Sequence, residues 1–98
     1  MTANHTPGPW AHHNTPTPFI YVNAGGLPIC QIYTSTAHGQ SMGEQFANAR
    51  LIAAAPELLE ALQKMLPELR GLSIVSDTAA EMLREAEAAI AKATGEQT

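Results

Sequence analysis

Residues 1–43 contain no Lys, Arg, Asp or Glu, and every ionic side chain of this 98-residue chain, nine acids and five bases, lies from Glu44 onward. A segment without ions cannot be held in water by charge, so it must bury apolar side chains on one side and show uncharged polar groups on the other. The groups in it that titrate near neutrality are His5, His12, His13 and His38. The two halves differ in chemistry but are too short for separate domains. They read as two layers of one small domain spanning 1–98: an uncharged, strand-rich layer over 1–43, a helical layer over 44–94, and a frayed tail over 95–98.

The uncharged layer carries short β-favouring runs. Phe19-Ile20-Tyr21-Val22 and Leu27-Pro28-Ile29-Cys30-Gln31-Ile32-Tyr33-Thr34 flank Asn23-Ala24-Gly25-Gly26. Asn and Gly tolerate the positive φ that tight hairpin turns demand, so the segment predicts an antiparallel hairpin. Pro28 lacks a backbone donor and belongs at a strand start or on an open edge. A shorter strand around Trp10-Ala11-His12-His13, linked through Thr15-Pro16-Thr17-Pro18, completes a β-meander over about 10–34. So small a sheet needs an apolar layer beneath it.

That layer is helical. Good helix formers fill 44–55, and Leu51, Ala55, Leu58, Leu62, Met65 or Leu66, and Leu69 recur at helical spacing. Pro56 either kinks one long helix or opens a second; the continuous stripe favours one helix over about 44–70, kinked at Pro56 and capped by Gly71. Leu72-Ser73-Ile74-Val75 is expected to tuck into the core. Ser76, Asp77 or Thr78 can cap the next helix, with Thr78 and Glu81 at capping-box spacing. It runs over about 78–93, buries Ala79, Met82, Leu83, Ala86, Ile90 and Ala93, and ends at Gly95. The fold class is α+β, a short antiparallel meander packed on two C-terminal helices.

Composition excludes several functions. A chain of this size buries about 60–65% of its unfolded surface, too little for a deep enclosed active site. Net charge −4 leaves too few cations for general nucleic-acid binding. One cysteine permits no internal disulfide and no zinc ribbon. No apolar run approaches the roughly 18 residues of a membrane span. The opening MTANHTPGPW has neither a basic start nor an apolar signal core, which points to the cytoplasm. No phosphate-loop, dinucleotide or zinc motif is present. Cys30 sits in an apolar strand, where an inert thiol is the rule. His12 and His13 point to opposite faces of a strand and make a poor metal pair. The paired acids Glu57/Glu60 and Glu81/Glu85 read as solvated helix faces, with Glu60 and Lys64 an i, i+4 ion pair. The chain is read as a binding protein without enzymatic activity, cofactor or metal.

The candidate ligand-binding residues are Trp10, Tyr21, Tyr33, Phe46, Asn48 and Arg50. Two prolines and a glycine stiffen His5-Thr6-Pro7-Gly8-Pro9-Trp10; its indole either seals the core or offers a platform for a flat ligand. In Phe46-Ala47-Asn48-Ala49-Arg50 the ring and the guanidinium share a helix face, while Asn48 lies about 200° away. Asn48 either tethers a neighbouring strand or reads a polar edge of a ligand. Arg50 either lies over apolar surface or grips a phosphate or carboxylate, with backbone N–H groups helping if a helix N-terminus is close. Tyr21 and Tyr33 supply hydroxyls if they face outward. The broad apolar helix stripe and the open sheet edges point to self-association.

The opening HTPGPW and the segment ANARLIAAAPELLEAL, residues 5–10 and 47–62, resemble a group of small proteins of tailed bacteriophages and prophages. The resemblance spans about 5–66, with the hairpin over 19–34 matching in character. It implies a phage origin and carries over no catalytic residues. That origin suggests a counter-defence role in the cytoplasm of an infected bacterium. The first form of that role is a sponge holding a small anionic nucleotide signal at a subunit interface. The alternative is an inhibitor or adaptor docking a host defence or phage protein through its helices or its uncharged sheet.

Overall fold

The computed structural model describes residues 5–14, 19–33 and 42–95. The described elements are three strands, β1 (Ala11–Asn14), β2 (Phe19–Ala24) and β3 (Leu27–Tyr33), then three helices, α1 (Met42–Ala53), α2 (Ala55–Leu72) and α3 (Asp77–Thr94). The fold is α+β. Two compact units form: one is Thr6–Glu57, and the other is built on the helices from Leu58 onward. Helix α1 therefore packs with the strands, and the composition boundary at 43/44 is not where packing divides. The 15–18 connector, Thr34, His38 and the tail beyond 95 lie outside the described residues.

In the first unit the strands form one antiparallel sheet in the order β1-β2-β3. Gly25 and Gly26 close the β2–β3 hairpin, and Gly25 takes φ +60°, which a side chain disfavours. Val22 pairs with Cys30 and Asn23 with Pro28, so Ile29 is an extra residue and the ladder bulges there. Pro28 sits beside that bulge on an edge strand, where its missing donor breaks no central ladder.

Strand β2 alternates. Ile20, Val22 and Ala24 are buried, while Tyr21 and Asn23 between them are half-buried. Helix α1 packs on all three strands and turns Gln45, Ala49 and Ala53 inward at i, i+4 and i+8. The sheet contributes Ile20 and Val22, and the helix contributes Gln45 at one end and two alanines beyond it, where the two backbones can approach closely. The expected apolar stripe through Leu51 and Ala55 is not the buried one: Leu51 is 63% exposed and Ala55 is exposed.

The single kinked helix is also corrected. The chain breaks at Ala54 into two helices, although the Ala54 N–H still donates to the Arg50 carbonyl at 3.0 Å. Pro56 causes the break: in a continuous helix its ring would press on the Ile52 carbonyl and leave that oxygen without a donor. In the first turn of α2 its missing N–H costs nothing. A second proline, Pro67, lies inside α2.

In the second unit the chain folds back between α2 and α3. Residues 70 and 87 in one straight helix would stand about 25 Å apart, yet the Arg70 guanidinium lies 3.6 Å from the Glu87 carboxylate. Leu69 of α2 and Ala79, Ala86 and Ile90 of α3 are buried, with Leu83 half-buried. Met82 and Ala93, expected inside, are exposed; Met82 stands about 60° off the Ala79 line.

Gly71 lies within α2 and is not its cap. The end is closed by the Ser73 N–H on the Leu69 carbonyl at 2.8 Å and the Ser73 hydroxyl on the Arg70 carbonyl at 2.8 Å. Ile74 and Val75, expected in the core, are 85% and 81% exposed, because they sit beyond the last turn of α2. Ser76 caps α3, its Oγ accepting from the Ala79 N–H at 3.2 Å, in place of the Thr78–Glu81 box. Gly95 ends α3 in the left-handed conformation, φ 78°.

Candidate functional site

Trp10 immediately precedes β1. Its ring is half-buried and its indole N–H donates to the Thr6 carbonyl at 3.1 Å. That bond closes the Thr6–Trp10 segment on itself and fixes the ring. The same segment touches the start of α2: a Cβ at Gly8 would stand 3.1 Å from Pro56 Cβ. The two stretches that carry the phage resemblance thus meet at Gly8 and Pro56.

The other candidates divide among three surfaces. Phe46 is half-buried and Arg50 exposed, one turn apart on one flank of α1. Asn48 is exposed on the other flank, so it tethers no strand. Arg50 stands in the last turn of α1. The nearest backbone dipole there is a helix C-terminus, which favours the cation itself and repels an anionic ligand; the N-terminal setting that would have strengthened an anion site is not where Arg50 stands. Tyr21 has the opposite parity from Ile20 and Val22, so it lies on the sheet face away from α1. Tyr33 is paired in register with Phe19 at the far end of β3. Phe46 and Arg50 are brought together; Asn48 stands on the other flank of α1 and Tyr21 on the sheet face away from it.

What the sheet does gather is a second set. Register places His13 beside Tyr21 and Tyr21 beside Gln31, with Ala11 beside Asn23. His13 and Gln31 are exposed, and Tyr21 and Asn23 are half-buried. The face away from α1 is therefore uncharged, hydrogen-bonding and bordered by β1 and β3, each paired on one side among the described residues. The signal was the alternation of Ile20, Val22 and Ala24 with Tyr21 and Asn23. Gln45 was missed outright, because glutamine reads as a surface residue; its i, i+4 spacing from Ala49 was the available clue. His12 is exposed opposite Val22, and Cys30 is half-buried opposite the same residue. Among the described residues no three His, Cys, Asp or Glu side chains gather as a metal site, and no helix is long and apolar enough to cross a membrane.

A three-stranded sheet under one helix, followed by a helical hairpin, defines a small α+β protein whose candidate residues lie on the surfaces of its elements. The family model of Salmonella phage P22 protein Y8K6 matches residues 1–97, and the chain belongs to that family. It is a small phage protein. No curated protein and no solved structure matches it.

Proposed function

We propose that this phage protein is a non-enzymatic binding protein that docks a host defence or phage protein against the open face of its sheet. The observation that carries the reading is the face formed by His13, Tyr21, Asn23 and Gln31, which offers donors and acceptors without a single ion. A partner covering it removes water from no carboxylate, ammonium or guanidinium, so the cost of burying those ions does not arise. Tyrosine at the centre and depletion of charge are the composition of interface cores. The β1 and β3 edges add backbone groups for an extended partner segment.

The test begins with affinity capture from infected cells and then measures the purified binary complex by calorimetry. Tyr21→Ala with Gln31→Ala should weaken that complex by at least about 30-fold, the loss typical of an interface anchor. Undiminished affinity in the double variant would remove the sheet face from consideration.

Nucleotide capture is the second reading, favoured by the ring of Phe46 and the guanidinium of Arg50 sharing one flank of α1. Stacking on the ring and pairing with the guanidinium would hold a cyclic nucleotide signal, and further copies would have to complete the pocket. Calorimetry with cyclic di- and trinucleotides and cyclic ADP-ribose isomers tests it. Micromolar binding that disappears in Arg50→Ala favours this reading over the first.

A further inference from the structure

Helix α2 exposes Leu58, Met65 and Leu72 to 53%, 49% and 54%. They are spaced by seven, close to two helical turns, and so stand in a row along one edge. The strip beside them holds buried Leu69 and half-buried Leu62. The row is a separate, unspent apolar edge. Its spacing is that of a helix-pairing seam, and the shape that fits it is another helix with the same repeat.

The charges beside the row choose both the partner and its direction. Lys64 and Glu68 lie on one flank of it, before and after Met65. In a parallel pair of copies the two-fold axis runs along the helices, so this flank faces the partner's opposite flank, which carries Leu62 and Leu69, and neither charge meets a charge of the other copy. In an antiparallel pair turned about Met65, residues equally far on either side of 65 stand level. Met65 then meets Met65, Leu58 meets Leu72, and Glu68 comes within about 3 Å of axial rise of the partner's Lys64. Lys64 already pairs with Glu60 of its own chain at 3.0 Å, with both side chains exposed, so its ammonium is available at the surface to be shared. The opposed helix dipoles favour the same direction.

We propose that this protein pairs with a second copy of itself through α2, antiparallel about Met65, with Glu68 and the partner's Lys64 bridged before and after Met65 along one flank of the seam. The surface is distinct from the open sheet face, so the fate of this proposal does not decide that of the proposed function.

Cysteine crosslinking in the full-length chain with Cys30→Ser tests it. Met65→Cys should form a disulfide-linked dimer on mild oxidation, because that residue meets its own copy. Leu58→Cys alone should not, whereas Leu58→Cys mixed with Leu72→Cys should. By analytical ultracentrifugation the wild type should be dimeric at about 100 µM, with Met65→Lys raising the dimer Kd more than about tenfold at unchanged circular dichroism. Glu68→Lys should weaken the dimer, and adding Lys64→Glu should restore it. A wild type monomeric at that concentration, or self-crosslinking of Leu58→Cys, would overturn the proposal.

Discussion

At the scale of single residues, the informative positions are those with no spare room. Gly8 is one. A β-carbon there meets the Pro56 ring at 3.1 Å, and a proline ring in the first turn of a helix cannot swing away as a flexible side chain would. Gly8→Val should therefore cost about 1–3 kcal/mol, as overpacking does, and a denaturant midpoint lowered at unchanged slope checks it. A variant as stable as wild type would mean that the contact yields. The candidate site was only partly legible in the sequence. Residue types suited to a nucleotide were present at Phe46, Asn48, Arg50, Trp10 and Tyr21, but type does not say which face a residue occupies. Tyr21 and Asn23 of β2 point away from α1, and Asn48 points away from Arg50, so chemistry that reads as one cluster in one dimension is spread over several surfaces in three.

Among the elements, local signals were legible where backbone chemistry decides the outcome. The two glycines closing the hairpin, the edge placement of Pro28 and the Gly95 terminus of α3 follow from φ preferences and a missing donor. The helix–sheet contact was not legible. Leucines at helical spacing read as the core-facing stripe, but the sheet already supplies Ile20 and Val22, so the helix that fits against them presents Ala49 and Ala53. Size complementarity belongs to the pair of surfaces, and neither sequence segment contains it alone. Pro67 poses the opposite problem, a strong breaker that breaks nothing: α2 runs through it to Leu72. It gives up a backbone bond without opening a turn, so Pro67→Ala should raise stability by about 1–3 kcal/mol. A higher midpoint in thermal unfolding checks this. A lower one would show that the proline shapes the helix for Leu69.

For the molecule as a whole, the division of labour follows the division of charge. The unit holding the sheet has no ion among its described residues before Glu44, and its open face bonds through amides, an imidazole and a phenol. The hairpin carries Lys64, Glu68 and the Arg70–Glu87 pair. Phage membership accounts for neither pattern by itself; the patterns say which surfaces a phage protein of this fold has to work with.

Dissolved electrolyte discriminates between them. At about 0.5 M sodium chloride the screening length falls to roughly 4–5 Å, which dampens the attraction across an acid–ammonium seam and leaves a neutral surface nearly untouched. Titrating brine should loosen pairing of the copies while capture at the sheet changes by less than about twofold. A partner that binds through the strands would then meet the same protein in dilute buffer and in concentrated salt, whatever the copies are doing.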